Sequence, residues 1–188
     1  QIEIIDGKLE AQLVFSNHIE EMLNPKHAYM YIDVGGGSTE LTLYYNHKVI
    51  ASKSFNIGTV RMLLNKVEKD EWENMKEWIK KSTLGVHPIH AIGSGGNINK
   101  IYKMTKKENN NISYSKLKGI HEMLNSYTYE ERIDVLGLKP DRADVIVHAS
   151  KIFITIMKTG DMETIFVPQI GLSDGIVHDL YEKARLVK

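Results

Sequence analysis

The chain has 188 residues, 24 basic against 24 acidic side chains, 42% hydrophobic residues and no cysteine. That supports one packed core, gives no basic footprint for nucleic acid, and excludes disulfides, thiolate metal sites and cysteine nucleophiles. No apolar run approaches the roughly 20 residues of a membrane helix and no signal-peptide pattern is present, so a soluble protein of the reducing cytoplasm is expected.

The chain begins at Gln1 and enters at once on the strand-like Ile2-Glu3-Ile4-Ile5, which reads as cut from something longer. Ala11, Val14, Phe15, Ile19 and Met22 recur at helical spacing and predict a helix over 10–23, closed before Pro25. Tyr29 to Val34 is a short apolar, aromatic-rich strand. Leu41, Leu43 and Tyr45 alternate with Glu40, Thr42 and Tyr44 in a second, and 49–55 supplies a third, predicting a three-stranded meander. Between the first two strands lies Asp33-Val34-Gly35-Gly36-Gly37-Ser38-Thr39-Glu40. Glycines in such a turn bring backbone N–H groups toward an anion, so Gly35, Gly36, Gly37, Ser38 and Thr39 are candidate phosphate binders. Asp33 and Glu40 offer hard carboxylate oxygen of the kind Mg²⁺ prefers.

Trp72, Met75 and Ile79 lie on one face of a predicted helix over 70–81. The strand 89–92 stops at Gly93-Ser94-Gly95-Gly96, after which Ile98, Ile101 and Tyr102 begin a helix. Gly93, Ser94, Gly95 and Gly96 therefore form a second candidate anion site, at a strand-to-helix turn. A polar, Asn-rich loop over 106–112 precedes Ser113, a candidate cap for a helix carrying Leu117, Ile120 and Leu124. Residues 141–158 are apolar on nearly every side and should form the most buried helix, ended by Gly160. A last strand is expected over 164–167, a third glycine turn at 171–175, and a final helix from about Asp174. Strands then alternate with helices, so the fold class is α/β, a mixed sheet with helices packed on it. Ligands of such sheets bind beyond strand ends, so the three glycine turns should converge on one cleft. The eight histidines are scattered, and His87 and His90, flanking Pro88, do not form a rigid metal pair.

In order and spacing, several stretches resemble the exopolyphosphatase and guanosine pentaphosphate phosphohydrolase family. They are Asp6-Gly7-Lys8-Leu9-Glu10-Ala11-Gln12-Leu13, Asp33 to Leu41, Gly58-Thr59-Val60-Arg61, Gly93 to Gly96, Arg142-Ala143-Asp144-Val145-Ile146-Val147, and Gly171-Leu172-Ser173-Asp174-Gly175. The resemblance implies a lobe of the actin-like ATPase (ribonuclease H-like) fold. It makes Glu10 the general base that deprotonates the attacking water, Asp33 and Glu40 the Mg²⁺-associated acids, and Arg61 and Arg142 candidate phosphate contacts. It implies Mg²⁺-dependent release of terminal phosphate from polyphosphate or a guanosine pentaphosphate-type nucleotide, with no nucleic-acid or membrane partner. Leu9 and Gln12 stand where the family carries glutamate and arginine, and His148-Ala149 where it usually shows Pro-Gly.

The family's first lobe opens with an Asp-x-Gly-Ser-Asn-Ser phosphate loop that this chain lacks. The expectation is thus that residues 1–188 are a single lobe, the second of two, with 1–15 and 174–188 as lobe-junction segments. Such a fragment is expected to be inactive alone and to self-associate, as a dimer, through apolar surface near 2–15 and after Asp174. Two other readings stay open: an ATP-binding domain of the sugar-kinase or chaperone type, and a non-catalytic sensor of a phosphorylated ligand. Glu40-Leu41 behind Ser38-Thr39 speaks against the first, and Leu9 with Gln12 sustains the second.

Overall fold

Apolar residues on alternate positions build the sheet one face at a time. In β1 (Ala28–Val34), Ala28, Met30, Ile32 and Val34 point to one side and are buried; Leu41 and Leu43 of β2 (Thr39–Tyr45) continue that side, and Phe55 closes it at the end of β3 (Lys48–Phe55). The computed structural model describes residues 24, 27–46, 48–105, 109–168, 177, 180, 181, 184 and 185. The expected strand at 2–5, the helix over 10–23, Glu10 and the turn at 171–175 lie outside them.

After the meander come α1 (Thr59–Leu63), α2 (Lys69–Ser82), β4 (Ile89–Ser94), α3 (Gly96–Lys103), β5 (Asn111–Ser113), α4 (Tyr114–Ser126), α5 (Tyr129–Asp134), α6 (Pro140–Ala143), α7 (Ile146–Thr159) and β6 (Thr164–Phe166). The six strands run in the order β3-β2-β1-β4-β6-β5. β1, β4 and β6 are parallel, while the meander and the β5–β6 pair are antiparallel. This is the mixed α/β sheet that the strand and helix order predicts.

The helix α7 lies on β1 with α2, α3 and α4 around it, which explains its apolar circumference: Ile146, Ala149, Ile152, Phe153, Ile156 and Met157 are all buried. Phe55 meets Trp78 of α2 edge-on, with ring centroids 5.7 Å apart. No described helix is long and apolar enough to cross a membrane. Val177, Leu180 and Tyr181, helical and spaced i, i+3, i+4, are all more than half exposed.

Three local readings need correction. The loop expected over 106–112 ends in β5, because Ile112 is buried opposite Ile165 of β6. The single helix expected over 141–158 is two helices, separated at Asp144 and Val145, where the Ala143 carbonyl accepts from Nη1 of Arg132 at 3.0 Å. The helix α5 was not expected, although Thr128 and Glu131 form a reciprocal capping box at its start. Ser113 caps α4 as expected, accepting from the Lys116 amide at 3.2 Å.

The α4–α7 contact includes a histidine–serine hydrogen bond. His121 Nδ1 lies 2.8 Å from Ser150 Oγ, and that hydroxyl donates to the Val147 carbonyl at 2.9 Å. The hydroxyl has one proton to give, so His121 Nδ1 is the donor in the first bond. Burial, followed by the nearby Lys151 charge, holds His121 below its ordinary 6.5 against the opposing pull of Glu122. His148 is lowered by burial and then by Lys151 and Arg132, with Asp144 opposing. Groups with a depressed folded pKa bind fewer protons folded than unfolded, so their neutral forms support the fold fully above 6.5 and that support is lost as pH falls. Melting temperature is therefore expected to fall between pH 7.5 and 5.5, and a double His121→Gln, His148→Gln variant to show a flatter slope.

Candidate functional site

One row of polar side chains crosses the end of the sheet. Asp33 is the direct cross-strand partner of Glu40, Glu40 that of Ser54, and Asp33 is also in register with Ser94 of β4. Register partners share a face, so Ser54, Glu40, Asp33 and Ser94 stand side by side over β3, β2, β1 and β4, with neighbouring β-carbons about 5 Å apart. Glu40 Oε1 accepts from Ser38 Oγ at 2.6 Å and from Ser54 Oγ at 2.9 Å, which holds its carboxylate over the sheet end. Asp33 reaches the second glycine turn: a β-carbon on Gly95 would sit 3.2 Å from its Oδ1. Gly95, at φ +101°, holds a conformation that favours glycine.

Both glycine turns leave from this row. Gly35 donates to the Ser38 carbonyl at 3.0 Å, closing the hairpin between β1 and β2. Its other carbonyls are tied to α1: Gly35 O accepts from Thr59 N at 3.0 Å, Gly36 O from Val60 N at 2.9 Å and Arg61 N at 3.0 Å, and Gly37 O from Arg61 Nε at 2.8 Å. In a trans peptide the N–H opposes the C=O, so each tethered carbonyl turns the next amide the other way. The N–H groups of Gly36, Gly37 and Ser38 consequently face away from α1 as a run of three. The same hairpin joins Asp33 to Glu40, which pair across it. Successive amides in this arrangement form an anion-binding concavity.

The second turn is split in purpose. Gly93 faces the core, where a β-carbon would lie 2.8 Å from Ile165 and 3.0 Å from Ile98, so packing accounts for it. Gly96, exposed at the start of α3, lies under the Arg142 guanidinium, whose Nη2 would be 2.7 Å from a β-carbon there. Arg142 Nη1 donates to Asn97 Oδ1 at 3.3 Å, and Asp141 lies 3.8 Å from its Nε. The fold thus carries Arg142 from the far end of α6 onto the turn expected to bind phosphate. Arg61 is instead engaged with the first turn's backbone.

Asn97, Ser54 and Gly58 were not singled out individually from sequence. A β-carbon on Gly58 would overlap the Gly36 carbonyl oxygen, so the clamp between α1 and the hairpin requires glycine there. Ser54 joins Glu40 only once the β2–β3 register, with its irregularity at Leu43 and Tyr44, is known. His90 pairs with His27, with Nε2 and Nδ1 3.1 Å apart, at the opposite end of β1 from the glycines.

The donors at Asp33 and Glu40 are hard oxygens flanked by hydroxyls, which fits Mg²⁺, an ion that takes one or two carboxylates and completes its shell with water and phosphate. Among the described residues no cluster of three or more His, Cys, Asp or Glu is arranged to hold a metal, so no third carboxylate or imidazole joins this pair there.

A family model described as the Ppx/GppA phosphatase family matches residues 1–184. The chain is 23% identical over 200 residues to a guanosine-5'-triphosphate,3'-diphosphate pyrophosphatase of Photobacterium profundum, covering 98% of this chain and 40% of that protein. It is 42% identical to exopolyphosphatase 2 of Mycobacterium tuberculosis over 60 residues, 32% of this chain and 18% of that one. In structure it resembles an exopolyphosphatase from Cytophaga hutchinsonii with a TM-score of 0.77 at 22% identity, covering 97% of this chain and 66% of that one. The chain spans about 40% of the length of such full-span curated relatives. Its fold is that of the Ppx/GppA structures, the actin-like ATPase fold, and by the extent of the family match the chain belongs to the Ppx/GppA phosphatase family.

Proposed function

We propose that this chain is one lobe, the second of two, of a Mg²⁺-dependent phosphohydrolase that releases terminal phosphate from polyphosphate or a guanosine pentaphosphate-type nucleotide. The observation that carries the reading is that the carbonyls of Gly35, Gly36 and Gly37 are all held by α1 in the hairpin that pairs Asp33 with Glu40, which leaves the amides of Gly36, Gly37 and Ser38 turned the other way. Polyphosphate needs donors from several directions and cations against its charge, and phosphoryl transfer is accelerated mainly by positioning and charge stabilisation. Those amides and Gly95 and Gly96 hold phosphate oxygens, Arg142 adds a guanidinium at Gly96, and Asp33 and Glu40 hold Mg²⁺, which offsets phosphate charge. Glu10 accepts a proton from the attacking water; the new bond forms at the terminal phosphorus, the anhydride P–O bond breaks, and the shortened chain leaves with the bridging oxygen.

A cleft closed from one side gives little positional advantage, so the 188-residue chain alone should turn over negligibly. The test is phosphate release from polyphosphate, guanosine pentaphosphate and ATP, by the complete gene product containing this sequence and by the chain alone. Mg²⁺-dependent release from either of the first two by the complete product is expected. Release from ATP only overturns the substrate assignment, and binding without release makes the protein a sensor, the reading that Leu9 and Gln12 keep open.

A further inference from the structure

We propose that Arg61 is a positioning residue that locks the first glycine turn, rather than a ligand of the phosphate. The proposal rests on the anion-site reading of that turn, but it concerns the turn's conformation before any anion arrives. Main-chain donors of α1 reach only two of the three carbonyls: Thr59 N holds Gly35 O, and Val60 N and Arg61 N share Gly36 O. The third, Gly37 O, is held by a side chain, through Arg61 Nε at 2.8 Å.

Gly37 has no side chain to anchor it, and its carbonyl carbon packs against Gly58. Gly37 is exposed, and a β-carbon built on it would meet nothing within 4 Å. Of the three tethered carbonyls, that of the Gly37–Ser38 peptide is the one held by a side chain and not by the backbone of α1, so the hydrogen bond that fixes this plane depends on Arg61. Flipping that plane would replace the Ser38 N–H by the Gly37 carbonyl oxygen, converting the last donor of the run into an acceptor that repels an anion. Arg61 acts through its Nε, the nitrogen nearest the aliphatic stem, and the three backbone bonds from the same short helix bring that stem to the hairpin.

This choice of atom gives a clean test, because a glutamine side chain places an N–H donor at the position of the arginine Nε without the charge, whereas methionine keeps the shape and removes the donor. Wild type, Arg61→Gln and Arg61→Met are compared by amide chemical shift and hydrogen exchange at Ser38 without ligand, and by tripolyphosphate binding with Mg²⁺. Expected are a Ser38 amide near wild type in Arg61→Gln and displaced in Arg61→Met, with tripolyphosphate binding weakened about tenfold or more only in the latter. An unchanged Ser38 amide in Arg61→Met overturns the proposal. So does equal loss of binding in both variants with the ligand-free Ser38 amide undisturbed, which would make Arg61 a charge contact to phosphate. Failure of wild type to bind tripolyphosphate would refute the anion-site reading instead, while the ligand-free comparison still decides whether Arg61 sets the turn.

Discussion

Glu10→Gln in the complete gene product is expected to lower phosphate release by about 10²- to 10⁴-fold, the usual worth of a general base, with substrate binding near wild type. The amide keeps the size and a hydrogen bond for the water but cannot take its proton. The expectation comes from Glu10's place in the Asp6 to Leu13 stretch, which lies outside the described residues. Single-turnover rates and substrate affinity, measured together, separate the two effects. Turnover like wild type would place the base elsewhere.

Gly58→Ala is expected to disrupt the anion site and the fold around it together. At Gly58, φ is −133° and ψ 162°, extended values that alanine adopts readily, so the penalty is steric and not conformational. The added carbon would meet the Gly36 carbonyl oxygen and Gly37 carbonyl carbon, backbone atoms that cannot swing aside as a side chain tip does. Overpacking of this kind costs about 1 to 3 kcal/mol or more, and the turn can relieve it only by moving off α1. Denaturant midpoint and tripolyphosphate affinity should both fall. Gly37→Ala is the control: with nothing near its β-carbon it should leave stability close to wild type. A Gly58→Ala protein with unchanged affinity would show that the clamp does not shape the site.

The sheet was legible because β1 and β4 are short apolar runs and β2 alternates, and α7 because a helix that is apolar on all sides has to be central. What escaped depended on partners distant in sequence. Ile112 becomes strand only by lying opposite Ile165, and the break before α7 coincides with Arg132 bonding the Ala143 carbonyl. In α5 the Thr128 and Glu131 signal was present, but no residue of that helix is buried, so it has no apolar period to read.

The candidate site divides in the same way. Asp33 and Glu40 were readable as a pair because a glycine hairpin sets the register between them. The tether from Arg61 to Gly37, the seat of Arg142 over Gly96 and its bond to Asn97 join segments 24 to 46 positions apart, which local spacing cannot reveal. Arg61 and Arg142 were marked through family motifs, and the structure distinguishes what each one touches.

The most direct measurement is a titration of the isotope-labelled chain with tripolyphosphate, with and without Mg²⁺, followed at the backbone amides. If the two glycine turns and the Asp33–Glu40 pair form one site, Gly36, Gly37, Ser38, Gly95 and Gly96 will shift together along a single saturable curve that steepens with Mg²⁺. Independent curves for the two turns, or shifts confined to exposed lysines and indifferent to Mg²⁺, would contradict a single polyphosphate site.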